Sequence, residues 1–298
     1  MTMKSGLFFM LMMGWFLSCQ TPSADRLVFE HDGISREYLF YAPVDLAPNA
    51  PLLLVFHGFT SSAETIRDYT DYNHLADQYG FAVAYPQGTL DAEGNTFWEV
   101  GYDFHADSSV EDIDFVNQLV PFLQEKHGLS RTNTFAVGMS NGGELCYLLA
   151  CYLPEMFGAI ATVAATMMNT HFDRCHPAET IPLLSIFGTA DQTTNYQGDE
   201  DNQDGWGAYK SIPDVMEHWA TQINYDTLVT DSLPDLVQKD GSRVMLEIYR
   251  NTTLDQEFRY YKVMGGGHDW PGAWGNEDIN TTEITWAFFE RYLEADND

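Results

Sequence analysis

Between an apolar, strand-like run, Thr134-Phe135-Ala136-Val137, and a helix-like run from Glu144 to Leu153 lies Gly138-Met139-Ser140-Asn141-Gly142-Gly143. This crossing constrains the chain more than any other stretch. A strand that turns directly into a helix brings two backbones close together, so the residues two before and two after the serine must be small. The turn strains the serine and leaves the first N–H of the helix free to face a developing oxyanion. The pattern therefore points to a nucleophilic serine. Gly- and Ser-rich loops contain the same five-residue pattern by chance, so the reading rests on partners elsewhere.

The remaining elements read as alternating strands and helices. Leu27–Glu30 and Arg36–Tyr41 form a hairpin around Asp32-Gly33. Pro51–Phe56 is continuously apolar, as a strand buried on both faces should be. A helix near Asp71–Tyr79, a buried strand Phe81–Tyr85 and an amphipathic helix Val110–Lys126 follow. Beyond the serine turn come strands Ala159–Val163 and Pro182–Phe187, and then helix Pro213–Gln222 after an acidic loop. Two antiparallel strands, Val244–Tyr249 and Phe258–Val263, precede a C-terminal helix, Thr282–Leu293. Strands alternating with helices predict an α/β fold with a mostly parallel central sheet flanked by helices on both faces. No repeat, linker or second composition zone divides the chain, so residues 26–298 are read as one catalytic domain.

A serine hydroxyl needs a base within hydrogen-bond reach, itself oriented by a carboxylate. In α/β-hydrolases these partners follow in the order acid, then histidine, on loops after later strands. Asp191 stands just past the Pro182–Phe187 strand, and His268 just past Phe258–Val263. Either alone reads as a solvated loop residue; together, in the required order and at strand ends, they form a triad with Ser140. Asp199, Asp201 and Asp204 are rival acids nearby. For the oxyanion, the Asn141 N–H is one donor, and the turn His57-Gly58-Phe59 offers the Phe59 N–H as the second. His57 precedes the serine, which suits bracing that loop and bordering the substrate cleft better than acting as base.

The charge balance narrows the partners. With 14 Lys+Arg against 44 Asp+Glu, the net charge is -30. That surface argues against nucleic acid and anionic membranes, which need clustered cations. Lys4 precedes an apolar run, Gly6–Leu17. At about a dozen residues it is shorter than the roughly 20 of a membrane span and reads as an export signal. Cys19 after Phe16-Leu17-Ser18 resembles a bacterial lipoprotein cleavage box, giving a signal over residues 1–18, a lipidated Cys19 and a tether over 19–25. Phe16 departs from the usual Leu, and plain secretion is the alternative.

Of the other cysteines, Cys146 and Cys151 lie five apart on one helix, a poor geometry for bridging. A Cys151–Cys175 disulfide with Cys146 buried is expected. Asp199, Glu200, Asp201 and Asp204 offer hard oxygen ligands for Ca²⁺ but lack a full EF-hand spacing and read as a solvated loop. His171, Cys175 and His176 lack a clear fourth zinc ligand. No metal, cofactor or obligate protein partner is predicted.

The blocks Phe56-His57-Gly58, Tyr85-Pro86-Gln87-Gly88, Asp112-Ile113-Asp114-Phe115, Gly138 to Gly143, Phe187 to Asp191 and Gly266 to Gly272 occur in this order. Together they resemble the polyhydroxybutyrate depolymerase/feruloyl esterase group, family 1 of carbohydrate esterases, over nearly the whole chain from Leu27. The resemblance implies an extracellular serine esterase with Ser140, Asp191 and His268 as the triad and Trp270 lining the substrate cleft. It implies feruloyl or acetyl esters of plant polysaccharides, as small esters or esterified oligosaccharides, with hydroxybutyrate oligomers as the alternative. Two cysteines common in the group are missing here: Phe59 stands at one position, and Asn224-Tyr225 lacks the other. The rival readings are a peptidase of the same fold, which would add a gating domain, and a non-catalytic glycan-binding lipoprotein, which would need no intact triad.

Overall fold

The computed structural model describes residues 26–294. The expected signal at 1–18, the tether at 19–25 and Cys19 lie outside them. The chain opens with β1 (Arg26–His31) and β2 (Ile34–Tyr41), joined by Asp32-Gly33 with φ of 50° and 79°. Two positive φ values at an Asp-Gly pair match the twist of a tight hairpin. Then come β3 (Leu52–Phe56), α1 (Ala63–Thr70), α2 (Tyr72–Tyr79) and β4 (Ala82–Pro86). A two-stranded ribbon, β5 (Thr89–Leu90) and β6 (Thr96–Phe97), leads to α3 (Asp112–His127).

The serine turn joins β7 (Thr134–Met139) to α4 (Asn141–Tyr152). After it follow β8 (Ala159–Val163), α5 (Asn169–Phe172), β9 (Leu183–Gly188), α6 (Ile212–Gln222), β10 (Thr227–Ser232), β11 (Arg243–Asn251), β12 (Gln256–Met264) and α7 (Thr281–Phe289).

Ten strands make one sheet in the order β1-β2-β4-β3-β7-β8-β9-β12-β11-β10. The six from β4 to β12 pair in parallel, and the antiparallel strands lie at the two edges. Every residue of β3, β4, β7, β8 and β9 is buried, as strands covered on both faces must be. Alternation divides them: Leu52, Leu54 and Phe56 pack toward α3, α4 and α6, whereas Leu53 and Val55 pack toward α1, α2 and α7.

The ribbon β5–β6, the short α5, α1 and β10 escape the sequence pattern, and the last two show why. Helix α1 is separated from α2 only by Asp71 in the left-handed conformation, and its start is marked by the Ser62 side chain accepting from the Thr65 N–H. All six residues of β10 are exposed, so it shows no buried face to read.

The Cys151 and Cys175 Cα atoms are 5.2 Å apart and their sulfurs are bonded, tying the end of α4 to the segment after α5. Cys175 is thus unavailable to the His171/His176 pair as a ligand. Cys146 is free and buried, which pushes its thiol pKa well up.

Candidate active site

At the end of β7, Ser140 has φ 54° and ψ −124°, a strained conformation for a residue with a Cβ. Its N–H donates to the Val163 carbonyl of β8 at 2.8 Å, and its carbonyl accepts from the Glu144 N–H at 2.8 Å. The serine is thus fixed at once to the sheet and to the first turn of α4. A Cβ on Gly138 would overlap the Gly142 carbonyl, and one on Gly142 would overlap the Phe56 carbonyl. Only glycine lets strand and helix cross this closely.

Asp191 and His268 meet. His268 Nδ1 donates to Asp191 Oδ2 at 2.7 Å, while Asp191 Oδ1 accepts from the N–H groups of Thr193 and Thr194 at 2.8 and 2.9 Å. The Asp191 carboxyl is buried and the imidazole is 21% exposed. A carboxylate on Nδ1 sets the tautomer and leaves Nε2 free to accept a proton.

The two loops are tied directly together. Thr189 N–H donates to Val263 O at 2.9 Å, Ala190 N–H to Gly266 O at 2.8 Å, and Gly265 N–H to Thr189 Oγ1 at 2.9 Å. Trp274 Nε1 adds a 3.4 Å bond to the His268 carbonyl. The acid–base pair is held by backbone, not by the two side chains alone.

Ser140 and His268 border one cavity of about 250 Å³. Phe59, Trp206 and Tyr102 form its aromatic side, with Trp206 edge-on to Phe59 at 5.5 Å and to Tyr102 at 5.1 Å. Gly58 lies against the serine, because a Cβ built there would touch Ser140 Cβ at 3.4 Å. The N–H groups of Phe59 and Asn141 have no acceptor among the described residues.

The structure corrects two expected cleft residues. His57 is fully buried and does not line the cavity. Its Nε2 accepts from the Gly88 N–H at 3.0 Å and lies 3.1 Å from Gln87 Nε2, so Nδ1 donates to Gly58 O at 2.7 Å. Burial lowers its pKa to about 4, keeping it neutral. It braces the Gly58-Phe59 turn from behind.

Trp270, 1% exposed, lies beneath the sheet's other face among residues of α1, α2 and α7. Its Nε1 donates to Thr282 Oγ1 at 3.3 Å and its ring packs edge-on against Tyr69 at 5.6 Å. The chain turns between His268 and Trp270, so only the histidine faces the cavity. The aromatic surface of the site comes instead from Phe59, Tyr102 and Trp206.

Asn141 contributes more than its N–H. Its side chain accepts from Trp98 N–H at 2.7 Å and donates to Trp98 O at 2.9 Å, while Trp98 Nε1 donates to His57 O at 2.9 Å. Asp112 explains its place among the sequence blocks. Buried against Arg36 at 2.6 Å, it accepts the Glu99 N–H at 2.7 Å and fixes the loop bearing Trp98 and Tyr102.

In the acidic loop, Asp199 accepts from the Gln203 and Asp204 N–H groups, and Glu200 pairs with Lys210 at 2.8 Å. These carboxylates close their own turn and hold neighbouring side chains.

Residues 36–179 match the family model described as esterase PHB depolymerase. The bifunctional acetylxylan esterase/xylanase XynS20E of Neocallimastix patriciarum is 27% identical over 83% of this chain, which spans 33% of that relative. Acetylxylan esterase A of Aspergillus oryzae is 23% identical, with 83% and 72% covered. The chain is a carboxylic ester hydrolase, similar over residues 36–179 to the esterase PHB depolymerase family.

Among solved structures, the acetyl xylan esterase from Aspergillus awamori superposes with a TM-score of 0.60 at 16% identity, over 85% of this chain and 94% of that one. Esterase PE8 gives 0.55 at 14% identity, over 85% and 97%. These likenesses carry the α/β-hydrolase fold.

Besides Tyr102 and Trp206, the site of this esterase holds a carboxyl that the sequence reading passed over. Glu144 borders the cavity at 6% exposed and accepts the Tyr102 hydroxyl at 2.5 Å. Its signal was its place in the first turn after the serine, where its N–H bonds the Ser140 carbonyl. Burial raises its pKa from 4.5 to about 7. Between those values the folded protein holds a proton that the unfolded chain has released, so stability falls as pH rises through that window. Glu144→Gln is therefore expected to be more stable than wild type near pH 8, by on the order of 3 kcal/mol, with the gap closing near pH 4. Urea unfolding at the two pH values measures it.

Proposed function

We propose that this esterase cleaves acetyl or feruloyl esters of plant polysaccharide fragments through an acyl-enzyme on Ser140. His268 Nε2 takes the Ser140 proton as Oγ attacks the ester carbonyl, and the Phe59 and Asn141 N–H groups stabilise the tetrahedral oxyanion. Asp191 holds the imidazole tautomer and stabilises the imidazolium. The alcohol leaves with the proton from His268, and water repeats the path to release the acid.

The observation that carries this reading is the 2.7 Å Asp191–His268 pair on the cavity that Ser140 borders. The substrate class is supported by the acetylxylan esterase relatives and by feruloyl esterase B of Piromyces equi, 26% identical over 50% of this chain and 27% of that enzyme. An aromatic wall beside a serine suits a phenolic acyl group or a sugar ring.

Residues 26–298 then act as one catalytic domain on small esters or esterified oligosaccharides. The Cys151–Cys175 disulfide supports export, because such bridges persist in oxidising compartments. In this reading Cys19 is the lipidated residue anchoring the enzyme at the cell envelope. No helix among the described residues is long and apolar enough to cross a membrane.

Methyl ferulate, acetylated xylan fragments, hydroxybutyrate oligomers and a peptide amide, assayed beside Ser140→Ala, test the assignment. Turnover of ferulate or acetyl esters that vanishes in the variant is expected. Hydrolysis of the amide or oligomers alone would overturn the substrate class.

A further inference from the structure

Glu144 has a place in the cavity that the acyl-transfer chemistry leaves unused. Its N–H donates to the Ser140 carbonyl at 2.8 Å, and both side chains border the same cavity. A group attached next to a carbonyl held at Ser140 is therefore within reach of this carboxyl.

The groups around it are known. Tyr102 donates to Oε2 from the loop before α3, and the Thr166 backbone and Asn141 side chain lie beside it. His268 faces it from the loop after β12, Tyr209 from the segment before α6, and Tyr147 from its own helix. Among the described residues, no Lys or Arg borders the cavity.

A carboxyl buried without a cation is unfavourable unless hydrogen bonds satisfy it. Tyr102 engages one oxygen directly and leaves acceptor capacity toward the cavity. Thr60, Thr193 and Thr194 also border the cavity, whereas the Thr166 hydroxyl donates to Lys210 O and the Tyr209 hydroxyl accepts from the Asn195 N–H. In a lining that is otherwise aromatic, aliphatic or hydroxyl-bearing, the Glu144 carboxyl is the strongest hydrogen-bond acceptor.

We propose that Glu144 determines specificity for esters carrying a free hydroxyl adjacent to the reacting group, which donates to the Glu144 carboxyl. The assignment rests on Ser140 being the nucleophile, since Glu144 is placed relative to it. The hydroxyl has two sources: the acyl chain, or the alcohol, as on a sugar carbon beside the esterified one. Sites built to bond a substrate hydroxyl discriminate strongly against analogues lacking it, because their buried polar group is then left unpaired.

Two substrate pairs separate the sources: methyl 2-hydroxybutyrate against methyl butyrate, and 2-hydroxyethyl acetate against ethyl acetate. In wild type, the hydroxylated member of one pair is expected to have about 10- to 100-fold higher kcat/KM. The pair that responds identifies the side of the ester that Glu144 reads. Glu144→Leu should remove the preference, and Glu144→Gln, a neutral acceptor of the same shape, should retain part of it. Tyr102→Phe removes the donor to Glu144 but leaves the acceptor, and should keep the preference.

Near-equal rates for both pairs in wild type would overturn the proposal, as would a preference that survives undiminished in folded Glu144→Leu and Glu144→Gln. Continued hydrolysis of all four esters by Ser140→Ala would contradict the nucleophile instead. The two failures are therefore distinguishable.

Discussion

Ser140→Ala is expected to lower kcat by about a millionfold, the loss seen when a triad nucleophile is removed. The protein should fold as before. Ser140 is anchored through its backbone, by its N–H to Val163 O and its carbonyl from the Glu144 N–H, and both bonds survive in alanine. Its side chain makes no hydrogen bond to another described residue, so removing it leaves no buried partner unpaired. Alanine also tolerates the positive φ about as well as serine does. A steady-state ester assay beside a thermal melt checks both halves. Unchanged melting with activity lost identifies a chemical role for the hydroxyl.

Asp191→Asn should lower kcat by about ten thousandfold with little effect on folding. The reason lies in the direction of the hydrogen bonds. Asp191 Oδ1 accepts two backbone N–H groups, from Thr193 and Thr194, so the amide oxygen of an asparagine is drawn to that side. Its NH₂ then faces His268 Nδ1, which must give up its hydrogen to accept. The proton moves to Nε2, and the imidazole no longer takes the Ser140 proton. Stopped-flow acylation with an activated ester measures the step. An asparagine variant with near wild-type acylation would show that Asp191 does not set the tautomer.

Much of this architecture was legible in the sequence because its physical demands are local. The continuously apolar run at Leu52–Phe56 and the largely apolar Leu183–Phe187, interrupted only by Ser185, read as strands buried on both faces, and the Asp32-Gly33 pair marked its hairpin directly. The glycines around Ser140 announced the close strand–helix crossing. Asp191 and His268 stood out because each follows a strand end in the required order.

What was not legible depends on which way a side chain points after the chain turns. His57 and Trp270 sit within two residues of cavity groups, Phe59 and His268, yet both are turned into the core. Phe59, Tyr102 and Trp206 come from three separate loops, and no spacing pattern relates them. Glu144 was legible in principle by its position one turn after Ser140. It was overlooked because a glutamate in the first turn of a helix ordinarily reads as a favourable partner for the helix dipole.

The central claim is that Ser140 carries the acyl group, and the direct test is to trap it there. Enzyme mixed with a slowly deacylating ester is quenched in acid within the pre-steady-state burst, digested, and its peptides weighed. The acyl mass is expected on the peptide containing Ser140, with no burst or adduct in Ser140→Ala. An acyl group on another residue, or an equal burst from the alanine variant, would contradict it.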